Sequence, residues 1–260
     1  MTQNTFSTTT YGLIGRPLGH SQSKAFFTRL FAGEGSDESY DNFELQQLTP
    51  EELYKMVLLN PKLRGFNVTA PYKEEIMQYL DNIDGNATRV GAVNTVLIRR
   101  DDTGMILGMD GYNTDVEGFR ESVRPLTESL VSKGALILGT GGAAKAVAEG
   151  LHQLGFKMLN VSRNKKGEGY IAYDAITPET VAEYPLIVNA TPLGTYPNVD
   201  LFPPFPYQYL TPTNACFDLV YNPAETRFMK MSRARGASVK NGLEMLHGQA
   251  LASLKIWRNS

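Results

Sequence analysis

The segment Gly139-Thr140-Gly141-Gly142 has a chemistry that can be read directly from residue types and spacing. Gly139, Gly141 and Ala144 fit the pattern G-x-G-x-x-[GA]. The first glycine of that pattern makes a tight turn, the second lets backbone approach a pyrophosphate, and the third small residue lets a helix pack on the strand before it. The N-terminus of that helix offers unpaired N–H groups and a partial positive charge to phosphates. Glycine turns without a ligand are common, so context decides. Ala135-Leu136-Ile137-Leu138 before the turn is a continuous apolar run suited to a buried parallel strand. Ala143, Val147, Leu151 and Leu154 after it recur at helical spacing and predict one apolar face. A dinucleotide is the ligand this implies, with Gly139, Gly141, Gly142 and Ala143 as candidate contacts.

The end of the next strand, 156–161, selects between dinucleotides. The right-handed crossover rule places that strand beside the first. An NAD site generally has an acidic residue at its end for the ribose 2′-hydroxyl. Here the chain reads Ser162, Arg163, Asn164, Lys165, Lys166, with no carboxylate before Glu168. Arg163 follows Gly139 by 163 − 139 = 24 positions, near the ~20 expected of the ribose-reading residue. A guanidinium pairs with a 2′-phosphate, whereas an aspartate would repel it. NADP(H) is therefore the expected cofactor, against the alternative of a solvated basic turn.

Other polar residues carry less on their own. Lys73 follows a proline-containing turn, where a lysine is ordinarily solvated. Asp115 follows Asn113-Thr114, where an aspartate is ordinarily a helix cap or first-turn charge. Ser21 and Ser23 lie in a Gly/Pro/Ser loop, where serines serve ordinary turns. Tyr221, in Val220-Tyr221-Asn222-Pro223, reads equally as a strand-end aromatic or a ligand contact. Cys216, the sole cysteine, sits in an apolar run and reads as a buried structural thiol. His20, His152 and His247 lack metal-ligand spacing, so no metal site is expected.

These residues need a scaffold. Strand-like and helix-like segments alternate along the whole chain, the signature of an α/β fold. Strands are expected at 11–14, 64–68, 93–98, 135–138, 156–161, 186–188 and 215–219. Helices are expected at 24–32, from Pro50 with Thr49 as N-cap, after the turn Thr69-Ala70-Pro71, at 226–235, and at 242–257 with Leu243, Leu246, Ala250 and Leu254 on one face. A net charge of −2 gives no bulk attraction to nucleic acid or an anionic membrane. The N-terminal MTQNTFSTTT does not read as a signal peptide, and no apolar run nears the ~18 residues of a membrane span. A cytoplasmic enzyme acting on a small molecule is the expectation.

Taken in order, a series of blocks resembles the shikimate dehydrogenase family over nearly the whole chain. They are Gly19-His20-Ser21-Gln22-Ser23, Asn67-Val68-Thr69-Ala70-Pro71-Tyr72-Lys73, Gly91-Ala92-Val93-Asn94-Thr95, Gly111-Tyr112-Asn113-Thr114-Asp115, Asn189-Ala190-Thr191-Pro192-Leu193-Gly194, and Asn241-Gly242-Leu243 leading to Gln249-Ala250. The chain departs from the family where Lys24, Phe27 and Thr28 replace a proline and a His-Asn pair, and where Ser162-Arg163-Asn164 replaces Asn-Arg-Thr. The resemblance implies two α/β domains with a cleft between them. A substrate-binding and catalytic domain would hold residues 1–111 together with a returning C-terminal helix, 238–260. A Rossmann-type NADP domain would hold 112–237. It further implies reversible NADPH-dependent reduction of 3-dehydroshikimate to shikimate in aromatic amino-acid biosynthesis, by a monomer or homodimer. Lys73 and Asp115 would be catalytic. Ser21, Ser23, Thr69, Asn94, Tyr221 and Gln249 would bind substrate. Ser162, Arg163, Asn164, Asn189, Thr191 and Gly242 would join the glycine turn around the cofactor. Hydride addition to a ketone creates an alkoxide that needs a proton, and a lysine in reach can donate it and take it back. Two alternatives stand beside this reading: a quinate/shikimate dehydrogenase of relaxed specificity, and a catalytically silent sensor on the same scaffold.

Overall fold

The computed structural model describes residues 9–19, 21–163 and 167–259. The chain forms two compact units, Met1–Thr114 with Ala250–Ser260, and Asp115–Gln249.

The first unit is built on β1 (Thr10–Gly15), α1 (Ser23–Glu34), β2 (Ser39–Glu44), α2 (Pro50–Leu59), β3 (Leu63–Val68), β4 (Asn82–Ile83), α3 (Gly85–Val90), β5 (Thr95–Arg100) and β6 (Ile106–Tyr112). Its sheet runs in the order β2-β1-β3-β5-β6-β4. β2, β1 and β3 are parallel, and β5 runs antiparallel to both β3 and β6. The ends of β1, β3 and β6 and the start of β5 therefore share one edge. Alternation along the strands feeds two cores. Ile14, Phe66, Val96 and Ile98 pack on one face with Leu53, Val57 and Ile76. Tyr11, Leu13 and Leu97 pack on the other with Phe27, Phe31, Leu254 and Trp257. Gly65 is what admits Trp257: a Cβ there would lie 2.2 Å from the indole Nε1, which donates to the Val96 carbonyl at 2.9 Å. Thr49 caps α2 as expected, its side chain accepting from the Glu52 N–H.

The second unit carries α4 (Asp115–Thr127), β7 (Gly134–Leu138), α5 (Gly142–Gln153), β8 (Lys157–Val161), β9 (Tyr170–Ile171), α6 (Pro178–Glu183), β10 (Leu186–Asn189), β11 (Ala215–Asp218), α7 (Arg227–Arg233), β12 (Ser238–Asn241) and α8 (Leu243–Arg258). The last helix is divided at Gln249, with Ala250 onward in the first unit. All six strands are parallel, ordered β12-β11-β10-β7-β8-β9. Counted from β7 this is 3-2-1-4-5-6, the Rossmann order, which binds dinucleotides at the carboxyl ends of the strands.

Several local expectations are corrected. The segment after Pro71 forms only a 3-10 turn, Glu75–Tyr79. The buried face of α5 is Ala144, Ala146, Val147 and Leu151, while Ala143 is exposed, because the first helical turn is left open beside the glycines. In α8 the first turn buries Met245 and leaves Leu243 39% exposed. Residues 238–241, expected within a returning helix, are the outer strand β12 of the second sheet, bonded to β11. Cys216 is fully buried, and burial pushes its thiol up to about 12.

Candidate active site

In the first unit the candidate substrate residues converge on the shared sheet edge. Ser21 lies in the loop after β1 and Ser23 is the first residue of α1. The Ser23 N–H donates to Ser21 Oγ at 3.3 Å. Thr69 directly follows β3, and its N–H bonds to the Ile14 carbonyl at 2.9 Å, while the Arg16 N–H bonds to the Ala70 carbonyl at 3.1 Å. Those two bonds lock the serine loop to the Thr69–Lys73 loop. Lys73 is half-buried, and its carbonyl accepts from the Val93 N–H at 2.8 Å, which ties it to the Asn94 segment.

A buried polar network fixes that segment. Asn67 Nδ2 donates to the Asn94 carbonyl (3.1 Å), Thr95 Oγ1 (3.1 Å) and Ser253 Oγ (2.9 Å), and Asn67 Oδ1 accepts from the Tyr40 hydroxyl at 2.8 Å. Asn94, 3% exposed, accepts the Thr114 N–H on Oδ1 at 2.8 Å and donates Nδ2 to Thr114 Oγ1 at 3.0 Å. Satisfied networks of this kind specify one arrangement. This one sets Thr114, the last residue of this segment of the first unit; Asp115, the next residue, opens α4 as a first-turn acid. Asn67 was not singled out as a site residue from sequence. Its partners lie up to 186 positions away, so no local signal marks it.

In the second unit most candidates lie at or just beyond the carboxyl ends of the parallel strands, while Asp115 and Gln249 lie in α4 and α8. Gly139 directly follows β7 with φ of 114°, a left-handed conformation that favours glycine. Its N–H bonds to the Val161 carbonyl at 3.0 Å. Gly141 is the N-cap of α5 without a side-chain cap, and added Cβ atoms at Gly141 and Gly142 would meet nothing within 4 Å. The helix N-terminus is thus uncovered by this unit's own side chains, as a pyrophosphate cradle requires. Ser162 and Arg163 follow β8. Ser162 is buried and its N–H bonds to Ile171. Arg163 is exposed, close enough to Tyr173 to influence its hydroxyl. Asn164, Lys165 and Lys166 lie outside the described residues. The open glycine turn with a cation and no carboxylate at the β8 end is a donor set that fits a 2′-phosphorylated dinucleotide.

Asn189 is the last residue of β10 and Thr191 follows it. Asn189 is fully buried. Its Oδ1 accepts from Thr191 N–H (3.1 Å) and Oγ1 (2.6 Å), and its Nδ2 donates to Asp218 Oδ1 at 2.9 Å. Its side chain is therefore committed to supporting Thr191. Tyr221 follows β11 half-buried, and burial raises its hydroxyl pKa. Gly242 follows β12. A Cβ there would lie 2.2 Å from the Leu219 carbonyl oxygen, so close backbone packing alone demands this glycine. Gln249 donates Nε2 to the Leu246 carbonyl at 2.9 Å. Among the described residues there is no cluster of metal-binding side chains and no helix long and apolar enough to cross a membrane.

A Rossmann-type sheet with this turn, joined to an α/β unit presenting a lysine, two serines and buried amides, defines a dinucleotide-dependent oxidoreductase scaffold. Residues 13–96 match the shikimate dehydrogenase substrate binding domain. A shikimate dehydrogenase (NADP(+)) of Clostridium beijerinckii is 37% identical, with 95% of this chain and 91% of that protein covered. The chain belongs to the shikimate dehydrogenase family. A shikimate 5-dehydrogenase of Thermus thermophilus, solved with NADP(H) and shikimate, aligns with a TM-score of 0.80 at 31% identity, covering 97% of this chain and 94% of that one. A quinate dehydrogenase of Corynebacterium glutamicum, solved with NAD, aligns with a TM-score of 0.84 at 26% identity and the same coverages.

Proposed function

We propose that the chain catalyses the reversible NADPH-dependent reduction of 3-dehydroshikimate to shikimate, in the pathway that leads to chorismate and the aromatic amino acids. The carrying observation is the sorting of candidate residues: each unit presents its own set along one strand edge, and Arg163 stands at the β8 end with no carboxylate beside it. That charge favours NADP over NAD, and so favours this reading over an NAD-using quinate dehydrogenase.

Gly139, Gly141, Gly142, Ala143, Ser162 and Arg163 would hold NADP(H), with Thr191 and Gly242 lining the strand ends beyond. When bound, the cofactor supplies the hydride. The rest falls to the chain's own groups. Ser21 and Ser23 offer hydroxyl donors to the substrate carboxylate. Thr69, Asn94, Gln249 and Tyr221 orient the ring. Lys73 delivers a proton to the oxygen that becomes the hydroxyl, and takes it back in oxidation. Asp115 is the second residue we assign to the proton step. We take the protein to work in the cytoplasm, as a monomer or homodimer.

Lys73→Ala and Asp115→Ala should each lower kcat for shikimate oxidation by ~10²–10⁴, the range for an acid–base group, with circular dichroism unchanged. A folded variant with near-normal turnover removes that residue from the mechanism.

A further inference from the structure

We propose that Asp218 is a positioning residue: its buried carboxylate ties the loop that carries Thr191 to the loop that carries Tyr221. The inference rests on reading Thr191 and Tyr221 as cofactor and substrate contacts.

Asp218 is the last residue of β11 and is fully buried. Parallel register sets it beside Asn189, the last residue of β10. Its Oδ1 accepts from Asn189 Nδ2 at 2.9 Å and from the Val220 N–H at 3.1 Å. Its Oδ2 accepts from Thr226 Oγ1 at 2.5 Å. Each donor leads to a different part of the strand-end surface. Asn189 spends its own oxygen on the Thr191 N–H and hydroxyl. Val220 is the backbone neighbour of Tyr221. Thr226 closes the 219–226 return and caps α7 by accepting from the Met229 N–H at 3.3 Å. One side chain thus fixes two loops and a helix start.

Among the described residues, three donors and no acceptor bond to this group. An ionised carboxylate accepts all three, whereas an amide can hold its oxygen toward Asn189 and Val220 only by turning its NH₂ on Thr226 Oγ1, which must then accept rather than donate and gives up its own bond to this group. An asparagine there that turns its NH₂ toward Oδ1's partners meets two donors. If Asn189 then flips to offer its oxygen, its own NH₂ points at the Thr191 N–H. The mismatch is passed to Thr191. Burying this charge is unfavourable for the fold, and desolvation pushes the carboxyl up to about 6. A group held against that penalty beside two contact loops marks a place where arrangement matters more than stability.

The test is Asp218→Asn in the full-length protein, with shikimate and NADP⁺. We expect kcat at saturating substrates to fall at least tenfold. The Kd for NADP⁺ should rise by clearly less than kcat falls, because the glycine turn and Arg163 are untouched and only the Thr191 contact is disturbed. Exchange of the Thr191 and Val220 amides with deuterium should quicken. Thr226→Val should follow Asp218→Asn, and Thr226→Ser, which keeps the hydroxyl, should restore most of the turnover. A kcat within twofold of wild type overturns the proposal, as does a Kd that worsens in step with kcat. If Asp218→Asn does not fold, equal turnover in the two Thr226 variants overturns it. Failure of the wild type to oxidise shikimate strikes the functional reading instead. The link is then decided by amide exchange, and unchanged exchange at Thr191 and Val220 overturns it.

Discussion

Gly15 ends β1 directly beneath Thr69, and replacing it with alanine is a graded way to disturb the substrate edge. The added Cβ would lie 2.3 Å from Thr69 Cγ2, 3.0 Å from Leu18 Cδ2 and 3.1 Å from the Ala70 carbonyl oxygen. Ordinary contact begins near 3.4 Å, so the threonine methyl must withdraw by 3.4 − 2.3 = 1.1 Å. The loop backbone cannot easily follow, since Thr69 and Arg16 are both bonded across it. The side chain must turn instead, and its hydroxyl turns with it. Overpacking of this kind costs about 1–3 kcal/mol. Expressed on ligand binding, at tenfold per ~1.4 kcal/mol, the central value is a roughly thirtyfold loss. Gly15→Ala should therefore raise the KM for shikimate by about that factor and leave the Kd for NADP⁺ within twofold. Thr69→Ser removes Cγ2 and keeps the hydroxyl, so the double variant Gly15→Ala/Thr69→Ser should recover most of the loss, a strong departure from additivity. Steady-state kinetics on the four proteins decide it. An unchanged KM in Gly15→Ala, or no relief in the double variant, refutes the placement of Thr69 at the substrate.

Three further outcomes are expected. Arg163→Ala should cost about 2 kcal/mol of NADP⁺ preference, the value of a charged hydrogen bond, read as a roughly thirtyfold drop in the ratio of kcat/KM for NADP⁺ over NAD⁺; Arg163→Asp should go further, and an unmoved ratio means the arginine is merely solvated. Replacing Ser21 and Ser23 together by alanine should raise the KM for shikimate far more than that for NADP⁺, and equal effects would mean the loop does not specifically hold the carboxylate. Asp218 should make stability fall with rising pH: its folded pKa is raised from 3.8 to about 6, so its favourable contribution is complete below 3.8 and lost as pH passes 6, a loss of about 3 kcal/mol at 1.36 kcal/mol per unit. Cys216 and Tyr207 beside it are both pushed upward and stay neutral in this window. Urea unfolding of wild type against Asp218→Asn across pH 4–8 checks this, and parallel curves would contradict it.

In the nucleotide half β7, β10 and β11 were legible because they are largely apolar runs. Ala135–Leu138 and the glycines after it leave few local alternatives. β2 was not legible, because Ser39–Glu44 reads SYDNFE, a polar edge strand whose pairing with β1 no local pattern announces. Residues 238–241 failed for a similar reason: SVKN is short and half-polar, and only its pairing with β11 makes it a strand. Periodicity found the apolar faces of α5 and α8 but mistook where they begin, choosing Ala143 for Ala144 and Leu243 for Met245, because spacing alone does not say how a first turn is oriented. The polar supports were invisible. Asn67 acquires its role from residues as distant in sequence as Tyr40 and Ser253, and Asp218 from a register that sets it beside Asn189. Fold class and candidate contacts are written locally, whereas the side chains that hold those contacts in place emerge only with the topology.

The central claim is tested most directly by mixing the purified protein with shikimate or quinate and with NADP⁺ or NAD⁺, and following reduced nicotinamide in the four combinations. Shikimate with NADP⁺ should give sustained turnover, with a kcat/KM exceeding that with NAD⁺ by roughly thirtyfold, the ~2 kcal/mol assigned to one charged hydrogen bond. No turnover in any combination, or a preference for quinate with NAD⁺, would contradict it.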